Sequence, residues 1–356
     1  MNISLHPFQL RLRDPFTIAR ETTSVQPTLI VRVEYDGLVG WGEATANNFY
    51  GVTIEGMQQL LRQAARKLRG ATLENPAEIW ADLDPLLRTC RFAQCALDCA
   101  LWDIYAQMHH LPLWQLWGFA PEDSRPPTSY TIGIDTPQRM VEKLRAMPEW
   151  PIYKIKVGAD GGLKLVETLR TVTSSRFRVD ANCSWERDRV VPLAEQLAVL
   201  DVELIEQPLP PTDDMQMRKL KSRSPLPLMA DESCQTESDI DPCIEYFDAV
   251  NIKLVKCGGL TPARRMITRA RQHGLRVMVG CMTESSIGIG AAVHLLPLLD
   301  YADLDGALLL AEDLAEGLTW ERGVGTLTDR PGLGVYPGRT AMETIDASLA
   351  ADRHPE

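Results

Sequence analysis

Eight short, apolar, strand-like runs alternate with helical stretches along the chain: TSYTIGI (128–134), IYKIKVG (152–158), FRVDAN (177–182), VELIEQP (202–208), LPLMADES (226–233), AVNIKLVK (249–256), LRVMVGC (275–281) and ADLDGALL (302–309). Parallel strands need a crossover connection, and a strand with its helix and loops commonly takes about 20–30 residues. The regular alternation of the eight runs therefore predicts a parallel sheet closed into a (β/α) barrel.

Charged residues recur near the carboxyl ends of five of these runs. Lys156, Asp180, Glu206, Asp231 and Lys253 are separated by 24, 26, 25 and 22 residues. In a barrel, the carboxyl ends of the strands and the loops after them converge on one face, where active sites form. One acid at one strand end could arise by chance, but a phased series of charges is hard to explain structurally. The spacing predicts that all five side chains point at one site.

The N-terminal part has a different pattern. Three segments alternate apolar and polar residues like strands, and two longer segments have apolar residues at helical spacing. The strand-like segments are 3–13, 28–35 and 40–43, with Asp36-Gly37 as a turn, and the helical segments are 53–69 and 92–109. This pattern predicts an antiparallel meander followed by helices, which together make an α+β domain.

Length and turn signals indicate two domains. The chain has 356 residues, more than a single core usually contains. We predict an α+β capping domain over residues 1–125 and a barrel that carries the site over residues 126–325. Residues 326–356 contain the turn-rich stretch RPGLGVYP and have no barrel unit left to complete. We expect this tail to pack back on the capping domain.

Composition and charge narrow the class of partner. Hydrophobic residues make up 45% of the chain, and the net charge of −11 argues against nucleic acid or an anionic membrane, which both favour a basic surface. The start, MNISLHPFQLRLRDPF, alternates like a strand and lacks the apolar run of a signal peptide. The eight cysteines include no CxxC pair and fit reduced, buried thiols. We expect a cytoplasmic protein with a small-molecule substrate, and a homo-oligomer stays open.

Three acidic residues make a candidate metal site. Asp180, Glu206 and Asp231 would bring carboxylate oxygens from adjacent strands together, and an all-oxygen set suits Mg²⁺, with Mn²⁺ as a substitute. No set of cysteine and histidine at zinc spacing competes. Each acid alone could instead cap the helix after its strand, but capping does not account for the phasing of all three. Asn182 and Glu232 lie beside the predicted ligands and are candidates to support them.

Lysines flank the predicted metal ligands. Lys154 and Lys156 are two residues apart and share one face of a strand, while Lys253 would lie nearly opposite in an eight-strand ring. A carbon atom between them could lose a proton on one face and gain one on the other. Removal of a proton next to a carboxylate needs nearby positive charge, which a metal supplies. We expect burial, the metal and Lys154 to lower the pKa values of these lysines, with snorkelling lysines as the ordinary alternative.

Five motifs resemble a known family. KIKVG, VDAN, IEQP, ADES and NIKLVKCGGL, in that order and spacing, resemble the muconate-lactonizing subgroup of the enolase superfamily, and the resemblance covers essentially the whole chain. It implies a modified TIM barrel of the (β/α)₇β type with an N-terminal α+β capping domain. It also implies that Asp180, Glu206 and Asp231 bind Mg²⁺, and that Lys156 and Lys253 are the acid/base pair. Lys154 is expected to assist.

A further pair of acids indicates a more specific activity. Asp303 and Asp305, in the last run, are similar to the DxD motif with which dipeptide epimerases bind the α-ammonium of a dipeptide. Two carboxylates beyond the metal site would anchor a cation several atoms from the reacting carboxylate, as in a zwitterionic dipeptide. Capping of a turn is the alternative. GCMTESSIG (280–288) also resembles these epimerases, so Thr131, Met282 and Glu284 are candidates to line the pocket.

The first capping loop bears on the side chain of the substrate. The similar epimerases that act on Ala-Glu have an arginine in this loop that binds the side-chain carboxylate of the substrate. In FTIARETTSVQ (16–26), Arg20 falls a few positions before the place where that arginine would align, and Thr23 is nearer. A C-terminal glutamate and a small or apolar residue framed by Phe16, Tyr50 and Met282 therefore both stay open.

The sequence predicts a Mg²⁺-dependent dipeptide epimerase. It would invert the α-carbon of the C-terminal residue of an L-Ala-Xaa-like dipeptide by proton transfer between two lysines. The same metal and lysines could serve an o-succinylbenzoate synthase, an N-acylamino acid racemase or a muconate cycloisomerase, because fold does not fix function. A non-catalytic barrel that binds a small molecule is an alternative of another class. Such a protein is expected to have lost a ligand or a lysine, and none is missing here.

Overall fold

A computed structural model of the protein describes residues 1–327 and 329–353. Residues 328 and 354–356, which belong to the predicted tail, lie outside the described residues. The described part contains a three-stranded antiparallel sheet, an eight-stranded parallel sheet and two short two-stranded sheets. None of the helices in this part is long and apolar enough to cross a membrane.

The chain begins with an antiparallel meander of three strands: β1 (Asn2–Thr17), β2 (Thr22–Tyr35) and β3 (Leu38–Thr45). The alternation of apolar residues predicts these strands, and each proves longer than predicted. Asp36 and Gly37 join β2 to β3 with φ values of 50° and 76°. Aspartate and glycine adopt positive φ more readily than other residues, so the predicted two-residue turn is confirmed.

Four helices follow this sheet: α1 (Ile54–Leu68), α2 (Pro76–Leu87), α3 (Arg91–Met108) and α4 (Leu113–Leu116). The helix α3 is buried along most of its length, in agreement with its apolar sequence, and packs on β2 and β3. The helix α2 was not expected from apolar spacing. Its signals are local: Pro76 opens the helix, and the Asn75 side chain caps it by accepting a hydrogen bond from the amide of Ala77.

Gly42 lies where β3 passes close to α3. A Cβ atom on Gly42 would lie 1.9 Å from the carbonyl oxygen of Ala96, and backbone cannot move aside as a flexible side chain can. Gly42→Ala is therefore expected to lower the free energy of unfolding by about 2–3 kcal/mol, measured by urea unfolding followed by circular dichroism. Gly158→Ala is the control, because its nearest contact, with Asp160, is an ordinary 3.6 Å. Equal stability of the two variants would contradict this explanation.

Eight parallel strands follow one another around the second sheet: β4 (Tyr130–Ile132), β5 (Ile152–Lys156), β6 (Arg176–Asp180), β7 (Val202–Glu206), β8 (Leu228–Ala230), β9 (Ala249–Lys253), β10 (Arg276–Gly280) and β11 (Tyr301–Asp303). Beside the first and last strands, Thr128 bridges to Ala302, and the amide of Ser129 donates to the carbonyl of Ala302 at 3.2 Å. This contact nearly closes the sheet into the predicted barrel.

Helices follow every strand of the barrel except the last: α5 (Pro137–Ala146), α6 (Leu163–Arg170), α7 (Val190–Val199), α8 (Asp214–Lys221), α9 (Ile240–Tyr246), α10 (Leu254–Cys257), α11 (Leu260–Gln272) and α12 (Ser286–Val293). The short α10 and the longer α11 both come after β9, so seven strands are followed by helix and the eighth is not. The predicted (β/α)₇β arrangement is confirmed.

Arg178 fills the inside of the barrel below the site. It lies two residues before Asp180 on β6, so its side chain is on the same face and one layer deeper. The guanidinium donates to the carbonyl of Ala302 and to Glu203, both at 2.8 Å, and lies 5.0 Å from the ring centroid of Tyr301. The barrel is therefore closed from below, and a small molecule has to enter from the carboxyl ends of the strands.

The C-terminal segment returns to the first sheet. It contains the strand pairs β12 (Ala315–Glu316) with β15 (Tyr336–Pro337) and β13 (Leu318–Glu321) with β14 (Val324–Leu327), and the helix α13 (Arg339–Arg353). Ile345 of α13 is fully buried in a cluster with Ile30 of β2 and Trp41 of β3. The described part of the tail thus packs on the face of the meander that α3 does not cover.

Two carboxylates from the N-terminal part cap helices of the barrel. Glu43 of β3 accepts hydrogen bonds from the amides of Ser285 and Gly288 at the start of α12. Asp98 of α3 accepts from the amide and the hydroxyl of Thr261, at 2.9 and 2.7 Å, in the first turn of α11. Amides at a helix N-terminus lack partners within the helix, so these buried acceptors fix the first sheet and α3 against the barrel.

Candidate active site

Three carboxylates lie together at the carboxyl end of the parallel strands. Asp180 and Glu206 end β6 and β7 and face each other in the ladder, and Asp231 directly follows β8. All three residues are buried, and one oxygen from each lies within 4.8 Å of the others. Oxygen ligands at this spacing suit a hard cation such as Mg²⁺, so the group is able to hold a metal ion.

Two further residues bond to these carboxylates, and a third holds the backbone of Asp231. Asn251 donates to Glu206 at 2.9 Å, Lys256 donates to Asp231 at 2.6 Å, and the side chain of Gln207 accepts from the amide of Asp231 at 2.8 Å. Sequence reasoning missed all three. Asn251 could have been found, because it lies two residues before the lysine of NIK on the same face of β9. Lys256 and Gln207 lie beyond strand ends, where periodicity carries no signal.

Two lysines approach the carboxylates from different sides. Lys156 ends β5 and donates to Asp180 at 2.6 Å, while Lys253 ends β9 and donates to Asp231 at 2.9 Å. These strands are the second and sixth of eight, so they lie nearly opposite in the ring. Both lysines line one cavity of about 100 Å³. The arrangement is able to place a carbon atom between two amines.

Lys154 lies one layer deeper than Lys156 on the same face of β5. Its side chain is 1% exposed, and its Nζ atom lies within 3.0 Å of carboxylate oxygens of Asp180, Glu206 and Asp303. A buried cation with three acidic partners is well compensated. Lys154 therefore links the three-carboxylate group to the acids at the end of β11.

The buried charges shift one another's pKa values. Burial alone would lower the pKa values of Lys154 and Lys253, but the neighbouring acids outweigh burial and raise both. Burial alone would raise the pKa values of Asp180 and Asp231, but the ammonium groups hold both below their usual range. Burial and the charge of Lys154 lower the pKa of Lys253, as expected, but the charges of Asp231 and Glu206 outweigh them, and the expected lowering by a bound metal stays a prediction. A cation bound to the carboxylates would weaken their hold on the lysine protons.

Asp303 ends β11 and Asp305 follows it, and both line the same cavity as the lysines. Asp303 accepts hydrogen bonds from Lys154 and from the hydroxyl of Ser129, so its charge is satisfied within the protein. Asp305 accepts from the amide of Thr131 at 2.6 Å, and burial with the charge of Asp303 raises the pKa of Asp305 to about 7. Of the two acids, Asp305 is the one left without a cationic partner in the described part. An ammonium group would fit beside it.

Most of the other predicted residues meet at the same cavity. Phe16, Arg20 and Thr23 line it from the first loop, and Thr131, Asn182 and Met282 line it from the barrel. The amide of Asn182 also donates to Asp180 at 2.9 Å. Glu232, predicted to support a ligand, instead pairs with Arg20 at 2.8 Å. Sequence spacing gave no sign of this contact, because 212 positions separate the two residues.

Tyr50 and Glu284 do not line this cavity. The ring of Tyr50 packs on Phe49 and Phe92, with centroid distances of 4.9 and 5.7 Å. Glu284 is 5% exposed and accepts a hydrogen bond from the amide of Met282 at 2.8 Å. Both side chains therefore lie behind the wall of the cavity.

The buried carboxyl of Glu284 is expected to make stability depend on pH. Burial and the charge of Glu43 raise its pKa from 4.5 to about 8, despite the opposing charge of Lys253. Between these values the folded protein holds a proton that the unfolded chain releases, so stability falls as pH rises. Glu284→Gln has no such proton. Its stability relative to wild type is expected to rise by at most about 1.4 kcal/mol per pH unit across this window. Parallel curves in urea unfolding at pH 6, 7 and 8 would contradict this.

Three larger clefts lie away from these groups. One, of about 630 Å³, is formed by β3, α3 and the tail, and two of about 520 Å³ lie between β1 and α13 and beside Trp114 and Val293. None of the three is lined by the lysines of β5 and β9 or by the acids of β11, which all line the smaller cavity. The smaller cavity is therefore the place where these groups can act on a substrate.

Relatives of known activity share this architecture. The chain is 45% identical to the L-Ala-D/L-amino acid epimerase of Flavobacterium johnsoniae, over 94% of this chain and 99% of that one. Its fold matches the substrate-liganded L-Ala-D/L-Glu epimerase of Bacillus subtilis with a TM-score of 0.89 at 29% identity, over 95% and 99% of the chains. It matches a dipeptide epimerase of Enterococcus faecalis, complexed with Mg and L-Leu-L-Tyr, with a TM-score of 0.88 at 30% identity, over 94% and 98%.

The family assignment covers both parts of the chain. Residues 2–118 match the N-terminal domain of the mandelate racemase / muconate lactonizing enzyme family. Residues 138–341 match the enolase C-terminal domain-like family. The resemblance seen in the motifs is thereby confirmed, and the chain belongs to the mandelate racemase / muconate lactonizing enzyme family of the enolase superfamily.

Proposed function

We propose that this protein is a Mg²⁺-dependent dipeptide epimerase that inverts the α-carbon of the C-terminal residue. One observation carries the proposal: two lysines on nearly opposite strands flank a three-carboxylate group, and these lysines line one cavity together with the two acids of β11. Relatives named as dipeptide epimerases, and their complexes with Mg and dipeptides, support the same activity.

Each group has a role in this mechanism. Asp180, Glu206 and Asp231 would hold Mg²⁺, with Mn²⁺ as a substitute, and the bound ion supplies the positive charge that offsets the charge developing as the α-proton leaves. Lys156 and Lys253 would face the two sides of the α-carbon. One removes the proton as a neutral amine, and the other, as an ammonium group, delivers a proton to the opposite face. The exchange of roles between them accounts for inversion in both directions.

The other end of the dipeptide would lie against β11. Asp305, with Asp303 behind it, would bind the α-ammonium of the substrate. Lys154 positions Asp303 and screens it from Glu206, so the ammonium subsite and the carboxylate group stay separate.

Exchange of the α-proton with solvent tests this proposal. The protein with Mg²⁺ would be incubated in D₂O with a set of L-Ala-L-Xaa dipeptides, and deuterium at the C-terminal α-carbon measured by mass spectrometry. We expect deuterium together with inverted product for at least one dipeptide. No deuterium in any dipeptide would exclude an epimerase and favour a non-catalytic barrel. Turnover of N-acylamino acids alone would favour a racemase of that class.

The proposal includes a domain division and a location. We propose a capping domain of residues 1–125 completed by residues 326–356, and a barrel of residues 126–325. Burial of Ile345 against Ile30 and Trp41 supports the return of the tail. Eight free cysteines and a net charge of −11 favour a cytoplasmic protein without a nucleic-acid partner. A homo-oligomer stays a prediction.

A further inference from the structure

An ion pair covers the mouth of the cavity. Arg20, in the loop between β1 and β2, donates to Oε1 of Glu232 at 2.8 Å, and its guanidinium lies 4.1 Å from the ring centroid of Phe49. The side chain of Glu232 is 0% exposed, and its Oε2 accepts no hydrogen bond from a described residue. Arg20 is therefore the main partner of a fully buried carboxylate next to Asp231.

The side chain of the C-terminal residue has one free direction. In the proposed complex, the metal group on β6–β8 would bind the carboxylate of that residue, and the lysines of β5 and β9 would face the two sides of its α-carbon. The acids of β11 would bind the N-terminal part of the dipeptide. Lys154 and Arg178 fill the barrel below. The remaining direction leads to the mouth, where Phe16, Arg20 and Thr23 line the cavity.

The cations that line the cavity are already paired. Among its described lining residues, Lys156 contacts Asp180 and Lys253 contacts Asp231, and Lys154 contacts Asp303. Arg20, the only cation from the first loop in that group, is held by Glu232. Glu21 also lines the mouth and adds a negative charge. An acidic side chain entering here would meet no free positive charge.

We propose that Glu232 determines substrate specificity by withholding Arg20, so that the enzyme takes dipeptides whose C-terminal side chain is not acidic. The proposal rests on the proposed epimerase function and adds the substrate class. An acidic side chain could bind Arg20 only by displacing Glu232. That would leave a buried carboxylate unpaired beside the metal group, which is strongly unfavourable. An uncharged side chain leaves the pair intact and can pack on Phe16 and Met282.

Glutamine and glutamate provide matched substrates, because they differ in charge and little in shape. We expect wild-type kcat/KM for L-Ala-L-Gln to exceed that for L-Ala-L-Glu by about tenfold or more. Glu232→Gln keeps a hydrogen-bond acceptor for Arg20 but removes the charge that cancels it. This variant is expected to shift the ratio towards L-Ala-L-Glu by about tenfold or more. Any damage to the metal group affects both substrates and cancels in the ratio.

The double variant Arg20→Met/Glu232→Gln isolates the role of the arginine. It lacks the cation that Glu232→Gln exposes, so the gain for L-Ala-L-Glu is expected to disappear. Arg20→Met alone leaves Glu232 unpaired beside the metal group, so it is expected to lower kcat/KM for both substrates without shifting the ratio towards L-Ala-L-Glu.

The outcomes separate this proposal from the proposed function. If wild type prefers L-Ala-L-Glu over L-Ala-L-Gln, the substrate class is wrong while the epimerase function stands. An unchanged Gln/Glu ratio in Glu232→Gln, with both rates lowered, would mean that Glu232 supports only the metal loop. If no dipeptide exchanges its α-proton with any variant, the epimerase function itself fails and this proposal fails with it.

Discussion

Lys156→Ala and Lys253→Ala are each expected to lower the rate of epimerisation by roughly 10²–10⁴-fold, the usual contribution of a positioned acid or base. The two variants are expected to differ in one respect. Each retains the lysine on one face of the α-carbon, so each still exchanges the α-proton of the one epimer whose proton points to that lysine. The measurement is deuterium incorporation into L-Ala-L-Xaa and L-Ala-D-Xaa, followed separately for each variant.

Lys164→Ala is the matched control, because Lys164 is an exposed lysine on α6 outside the cavity. It is expected to epimerise at the wild-type rate. Opposite epimer preferences for Lys156→Ala and Lys253→Ala would place the two lysines on opposite faces. Equal residual exchange of both epimers in both variants would exclude the two-face mechanism.

Asp305→Asn is expected to lower kcat/KM for dipeptides by roughly 10- to 100-fold, because a charge-assisted hydrogen bond to the substrate ammonium becomes a neutral one. Asp303 cannot replace it, since Lys154 and Ser129 already occupy that carboxylate. The measurement compares a free dipeptide with its N-acetyl derivative, which has no ammonium. The preference of the wild type for the free dipeptide is expected to shrink in the variant.

Asp241→Asn controls for loss of an aspartate charge, since Asp241 lies on α9 with a side chain that is 62% exposed. It is expected to leave kcat/KM unchanged. Unchanged turnover of free dipeptides by Asp305→Asn would mean that Asp305 does not bind the substrate ammonium. The proposed substrate would then need to be replaced by one without a free ammonium group.

Periodicity and spacing predicted the fold and the central charges well. The strands that end at Lys156, Asp180 and Glu206 were visible because a buried parallel strand is an apolar run and its last residue points into the site. The helix α2 was not predicted because it is signalled by a capping residue and a proline, and not by apolar residues at helical spacing. Local sequence patterns thus predict the helices and strands, and the residues at the strand ends predict the site.

Contacts between distant segments could not be predicted. Arg20 and Glu232 are 212 positions apart, and only the docking of the first loop on the barrel brings them together. Lys256 reaches back to Asp231 from the turn after β9, a geometry that no spacing rule encodes. The acids that raise the pKa values of Lys154 and Lys253 make contacts of the same kind, because they come from other strands of the barrel or from the residues after them.

Two lysines that act on opposite faces of one α-carbon leave an isotopic trace in the first product formed. An L-Ala-L-Xaa dipeptide with ordinary hydrogen at the α-carbon would be incubated with Mg²⁺ and wild-type protein in D₂O, and both epimers analysed during the first few per cent of reaction. We expect the inverted product to carry deuterium from the opposing lysine, which has exchanged with solvent. Inverted product that keeps the original α-hydrogen would exclude the two-face mechanism.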